Sequence, residues 1–192
     1  MKFTQLPIDA FNEIQLNAGI ILSAFSPESG EYERDDIIAA TTGGVNFSAN
    51  TTYSDFGADI DNCPANTKEL KRIDFVDAKM SGTFVTVNED AVARLIAACS
   101  VSGGKVTPRH VLKPDDFKDL WWVGDYSDKT GENNGGYIAV HLINALSTGG
   151  FSIQSAKGKQ GSFPFEFTGH YSMVNPEVVP YEVYVVAGAE EV

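Results

Sequence analysis

The sequence predicts an all-β fold of two packed sheets with one flanking α-helix, and three observations carry that prediction. Apolar residues alternate along Ile138, Val140 and Leu142, and again along Phe163, Phe165, Phe167, Tyr171 and Met173, which is the period of a half-buried strand. Turn residues punctuate these runs at Asn134-Gly135-Gly136, Gly149-Gly150, Gly158 to Gly161 and Asn175-Pro176. One segment, beginning at Asn88, places apolar residues at helical spacing instead.

The elements follow in chain order. Residues 18–25, AGIILSAF, form a first strand, and an acidic loop over 27–36 separates it from the second. That second strand, GGVNFSANTTYSDF over 43–56, puts Val45, Phe47, Ala49 and Tyr53 on one face and Asn46, Ser48, Asn50 and Thr52 on the other. Residues 54–75 show no sustained period; they hold Asp55, Asp59 and Asp61, then a basic run with Lys68, Lys71 and Arg72. A connection of that length is a surface loop, or a functional excursion that folds against something else. The strand over 79–87 shows Lys79, Ser81 and Thr83 to one side. Asn88 then caps a helix over 88–101, with Glu89 and Asp90 on its positive end, a stripe of Val92, Leu95, Ile96 and Cys99, and a stop at Ser102-Gly103-Gly104. A helical turn at 114–120, opened by Pro114, leads into Trp121 and Trp122. In the closing meander Glu166, Thr168 and His170 fall opposite the phenylalanines.

At 192 residues the chain suits one domain with a sizeable core. Its 14 Lys and Arg against 26 Asp and Glu leave a net charge of −12, which repels nucleic acid and anionic membrane. The apolar run at 18–25 is too short to span a bilayer and no targeting pattern precedes it, so the expectation is assembly in a cytoplasm without a membrane partner. Cys63 and Cys99 form neither a CxxC nor a disulfide framework, and both read as reduced and non-catalytic.

Constellations that could carry chemistry fail one by one. His110, His141 and His170 lie on separate elements without metal-ligand spacing. Asp55, Asp59 and Asp61 lack the ligand order and terminal Glu of a calcium loop. Gly103-Gly104-Lys105 lacks the rest of a phosphate-binding loop and reads as a linker. There is no GxSxG, and the paired acids Asp35-Asp36 and Glu190-Glu191 sit in loop or tail. The expectation is no enzyme, no cofactor and no metal. One alternative stands: a lectin-like, carbohydrate-binding β-sandwich that uses Trp121 or Trp122 as a stacking platform. Adjacent strand residues point to opposite faces, so one tryptophan at most could serve it.

The segments NALSTGGFSIQ (144–154), FEFTGHYS (165–172) and VPYEVYVV (179–186) resemble the C-terminal half of phage major tail tube proteins. The order of the earlier elements fits the same family over nearly the whole chain. This resemblance implies a single tail-tube-like domain over 1–192, with an N-terminal segment at 1–15, an inter-subunit arm at 54–75 and the short helix. It implies a structural virion protein whose strands close into a larger barrel in a hexameric ring. Rings would stack into the tail tube through which phage DNA passes without specific binding. Implied partners are further copies of itself, the tape measure protein, and tail terminator and baseplate or tail-tip proteins. The tube would be assembled in the bacterial host cytoplasm and reside in the virion tail. Under this reading Asn46, Ser48, Asn50, Thr52, Ser81, Thr83, Glu166, Thr168 and His170 face the lumen. Asp55, Asp59, Asp61, Lys68, Lys71 and Arg72 belong to the arm, and Trp121 and Trp122 serve as core and interface aromatics.

Overall fold

A computed structural model describes residues 6–7, 10, 13–126 and 135–187; most of the expected N-terminal segment, Asn134 and Glu190-Glu191 lie outside them. In chain order the elements are β1 (Ile20–Leu22), β2 (Ile37–Ala39), β3 (Thr41–Asp55), β4 (Lys71–Phe84), α1 (Glu89–Ile96), β5 (Cys99–Ser102), β6 (Lys105–Pro108), β7 (Lys118–Asp125), β8 (Tyr137–Ser147), β9 (Phe163–Thr168) and β10 (Tyr181–Val186). The class is therefore all-β with a single α-helix among the described residues. The expected pair of sheets takes a different form. Eight strands make one antiparallel sheet in the order β2-β1-β7-β8-β9-β4-β3, with β10 attached to β8 and a separate hairpin of β5 and β6.

β8 joins the two halves. It pairs with β10 as far as Leu142 and with β7 as far as Ala145, then with β9 at Leu146 and Ser147. The change of partner follows an irregularity near Asn144, whose backbone is left-handed at φ 50. Asn144 tolerates that conformation because its groups are held: its N–H donates to Asp119 Oδ1 (2.9 Å) and its side-chain amide to the His170 carbonyl (3.2 Å). The halves thereby share one core. Ile21, Ile38, Leu120, Val140 and Leu142 from one half cluster with Ala78, Met80, Phe84, Phe165 and Phe167 from the other. Phe84 is fully buried and stacks on Phe165 with centroids 4.2 Å apart.

The other face of the first half carries a second cluster of Leu22, Trp121, Val123 and Ala139, covered by Phe25, Tyr137 and Tyr184. Tyr137 bonds the Pro27 carbonyl at 2.7 Å, which ties the acidic loop over 27–36 down onto this face.

The helix is shorter than its sequence pattern suggests. Asn88 caps it as expected, its Oδ1 accepting from Ala91 N–H at 2.7 Å, while its amide donates to the Ile38 carbonyl at 3.3 Å and so docks the helix on β2. Of the expected stripe only Leu95 is fully buried, joined by Ala91 and Ala93, while Val92, Ile96 and Cys99 are half-buried. Ala97 at φ 65 ends the helix, and Cys99 opens β5 instead. Gly103 and Gly104, at φ 58 and 79, are the two-residue turn of the β5–β6 hairpin, where left-handed backbone is required. The residues read as a linker are thus a tight reversal. Burial raises the Cys99 thiol above its ordinary value, with the nearby Asp116 adding to the effect. After Pro114 only one 3₁₀ turn forms, over Pro114–Asp116, before β7 begins.

Candidate functional site

The feature with functional geometry is the face of β3, β4 and β9 that points away from the core. Strand pairing aligns Asn46 with Ser81 and Ser81 with Glu166, and in the next row Ser48 with Lys79 and Lys79 with Thr168. Directly paired residues share a face, so these side chains form one polar surface behind Phe47, Met80 and Phe167. Asn50 pairs with Asp77, Thr83 with Thr42, and Thr52 with Phe75. Thr148 extends the surface: its hydroxyl donates to Glu166 Oε1 at 3.0 Å and lies 2.9 Å from the Thr168 hydroxyl. The charges on these rows are balanced locally. Lys79 Nζ lies 3.0 Å from Asp77 Oδ2, and Asp77, with Glu166 further off, holds the ammonium above its ordinary value.

Eight of the nine residues expected to share a face do share it. His170 does not, because β9 ends at Thr168 and Gly169 turns the chain. There the Gly169 N–H bonds the Ala78 carbonyl, and the His170 ring packs edge-on against Phe117 with Nδ1 3.2 Å from the Asn144 carbonyl. A Cβ on Gly169 would lie 2.6 Å from the Pro180 carbonyl, so only glycine fits there, and with β9 ended at Thr168 the alternation read from Phe163 does not run on to Tyr171 and Met173. Met173 is 99% exposed.

Beside this face stands a second feature, the far end of the β3–β4 hairpin. β9 pairs with β4 only over Lys79–Phe84, so from Lys71 to Asp77 the hairpin has no neighbouring strand on that side among the described residues. The segment expected as a loop over 54–75 is strand only at its two ends, 54–55 and 71–75, and an ordered loop over 56–70 joins them. Asp55 closes the tip, its two carboxylate oxygens accepting from Gly57 N–H (3.0 Å) and Asn66 N–H (2.8 Å), and these bonds hold its carboxyl below the usual range. Thr67 donates to the Pro64 carbonyl at 2.7 Å, and Lys71 donates to Asn66 at 3.2 Å while lying 5.1 Å from the Tyr53 ring centre. Asp59, Asp61, Lys68 and Arg72 are exposed around it. A bulge at Thr52/Tyr53 shifts the register of the hairpin just before this loop. Tyr53, Phe56, Ile60, Ile73 and Phe75 remain about half exposed on this projection.

Trp121 and Trp122 do point to opposite faces, but each is used inside the chain. Trp121 is 7% exposed, stacked on His141 at 3.9 Å and flanked by Phe25 and Tyr184. Trp122 packs against the main core and donates its indole N–H to the Ala18 carbonyl at 2.9 Å. The ring is clasped by Gly19 and Gly124, where a Cβ would lie 2.5 and 2.8 Å from it. Trp121 is thus enclosed within the chain, while Trp122 stays half-buried. Among the described residues no group of three or more His, Cys, Asp or Glu converges to hold a metal.

No protein-family model and no curated protein matches the chain. Among solved structures it is similar to a chain from the virion of a native gene transfer agent (GTA) particle, at 11% sequence identity and a TM-score of 0.42; the match covers 88% of this chain and 96% of that one.

Proposed function

We propose that the chain is a structural protomer of a phage tail tube, self-assembling into stacked hexameric rings that conduct DNA. The observation that carries this reading is the polar, charge-balanced face of β3, β4 and β9, set on a half-sheet that ends in an open strand. Among the described residues β3 pairs with β4 alone, so the backbone groups that point outward along this 15-residue strand are free to continue the sheet into another copy. Pairing of that kind repeated around a ring would close the edge and turn the polar face toward a common axis. The face suits a channel because it is polar yet holds its one lysine beside acids, so a passing polyanion meets no array of free cations.

In this reading the hairpin projection is the arm that reaches a neighbouring subunit, its exposed apolar residues being covered on assembly. The role is structural and not catalytic. Partners are further copies of the chain, the tape measure protein within, and terminator and baseplate or tail-tip proteins at the ends, since stacked rings do not close on themselves. The test is sedimentation and negative-stain microscopy over a range of protein concentrations. Rings and tubes should appear as concentration rises, and a monodisperse monomer throughout would overturn the proposal.

A further inference from the structure

We propose that one copy of this chain docks end to end on the next through opposite charges, the acidic loop over 27–36 of one copy seating on a basic end of its neighbour. This deepens the tube reading, on which it rests for the identity of the partner. Strand directions define the two ends. β4 and β8 run parallel to one another, each antiparallel to β9, and β7 runs against β8. The connections 85–117, from β4 to β7, and 148–162, from β8 to β9, therefore lie at one end of the sheet. Together they hold six Lys and Arg against four Asp and Glu, a net of +2, which leaves −14 on the rest of a chain whose total is −12. Two of those acids are already engaged: Asp90 lies 2.8 Å from Arg94 and 3.5 Å from Lys118, and Asp116 bonds Arg109. Glu89 and Asp115 remain. Lys105, Lys113, Lys157 and Lys159 are exposed and form no ion pair among the described residues. On the first connection Val101, Val111 and Leu112 are 44%, 69% and 50% exposed.

The acidic loop is carried to the other end. It leaves β1 after Leu22 and folds back over the Trp121 face, where Phe25 meets Trp121 and Tyr137 and the Tyr137 hydroxyl holds the Pro27 carbonyl. Its tip is closed by bonds from Gly30 N–H to the Ser26 carbonyl (2.8 Å) and from Ser26 N–H to the Glu31 carbonyl (3.1 Å), and it lines a cleft with Asn17, Ile20 and Asp125. Tyr137 opens β8 and Asp125 closes β7, so the tip sits a strand length from the basic end, about 25 Å along β7. The loop holds five acids and one base, Arg34. Glu28, Glu31 and Asp35 are exposed without an ion pair among the described residues, and Tyr32 beside them is 47% exposed.

Each end thus presents free charge around exposed apolar side chains, and the signs are opposite. Two like ends repel, so head-to-tail contact is the arrangement that brings opposite signs together. The two surfaces differ, so the contact is heterologous and leaves an acidic loop and a basic end free for the next copy. Polarity and propagation follow from one charge pattern.

The experiment reverses each end separately in the full chain. Lys105→Glu with Lys113→Glu makes one variant, and Glu28→Lys with Glu31→Lys makes the other. All four side chains lie outside both core clusters, so both variants should melt as wild type does. Sedimentation and negative-stain microscopy measure association. Each variant alone should need at least about tenfold more protein than wild type to lengthen, because its two ends now share a sign. An equimolar mixture should lengthen again, since the acidic loop of the first variant meets the basic end of the second, and the basic loop of the second meets the acidic end of the first. That rescue should weaken as salt rises. A mixture that pairs end to end without forming rings would uphold the docking while the tube reading fails. Tubes that form equally well from each variant alone would overturn the docking and leave the tube reading standing. A mixture that associates no better than its separate components would overturn the docking as well.

Discussion

Replacing Glu166 by lysine tests the polar face at its most exposed premise, that its charge balance governs how a polyanion slides past. The rows Asn46–Ser81–Glu166 and Ser48–Lys79–Thr168, with Asp77, carry two acids and one base, a net of minus one per protomer. Glu166→Lys makes this plus one and leaves Lys79 with only Asp77 as partner. The local cost is the hydrogen bond from Thr148, about 0.5–1.5 kcal/mol, too little to unfold a domain of this size. In the proposed ring the electrostatic effect would repeat once per protomer. With one phosphate neutralised per protomer of a hexamer, the affinity for duplex DNA should fall with salt at a log–log slope of roughly −5 per ring. The assay is co-sedimentation of labelled DNA with preformed tubes in increasing salt, together with ejection rate in particles carrying the variant. Variant tubes should retain DNA at low salt and release it steeply as salt rises, while wild-type tubes should not retain it. Intact variant tubes that bind no more DNA than wild type would mean that this face does not line the channel.

Other outcomes follow from the same geometry. Replacing residues 57–66 with a short Asn-Gly turn should leave the melting temperature within a few degrees of wild type, because none of those side chains enters either core cluster, yet abolish tubes in micrographs. Phe84→Ala removes a fully buried ring stacked on Phe165 and should cost about 3–5 kcal/mol in urea denaturation of the monomer. Asn88→Ala loses both the helix cap and the bond to Ile38, and should cost about 1–2 kcal/mol in the same assay. Asp55 is depressed in the folded chain, so the order it lends the hairpin tip should be present above its unfolded value and lost as pH falls through the folded one. Asp55→Asn should flatten that acid response in exchange measurements on the Gly57 and Asn66 amides.

Side-chain alternation made much of this molecule legible. Asn46, Ser48 and Asn50 could be assigned to one face because β3 keeps its period from Val45 to Thr52, and the Asn88 cap was readable because it is local. Legibility stopped wherever the backbone left its regular form. Ala97 entered a left-handed conformation that no propensity suggested, which cut the helix short and moved Cys99 into a strand. Residues 56–70 carry no period because they are loop, which hid the strand ends at 54–55 and 71–75, and the end of β9 at Thr168 cut the run that had carried the assignment of His170. The Trp121–His141 stack was invisible for another reason: it depends on the register between β7 and β8, a long-range pairing that no local pattern records.

The bent strand β8 has a consequence for the order in which the chain can be built. The β3–β4 hairpin is local in sequence and can form as soon as it is synthesised, but its apolar side, with Phe47, Met80 and Phe84, waits for Phe165 and Phe167 on β9. β1 waits equally for β7, about a hundred residues downstream. Until Leu142 and the strands around it emerge, a nascent chain therefore carries an adhesive open edge and an uncovered core at the same time. Crowding of such chains on one message would put the most polymerisable strand at risk before the domain that disciplines it exists, and slower synthesis across residues 85–135 would lengthen that hazard.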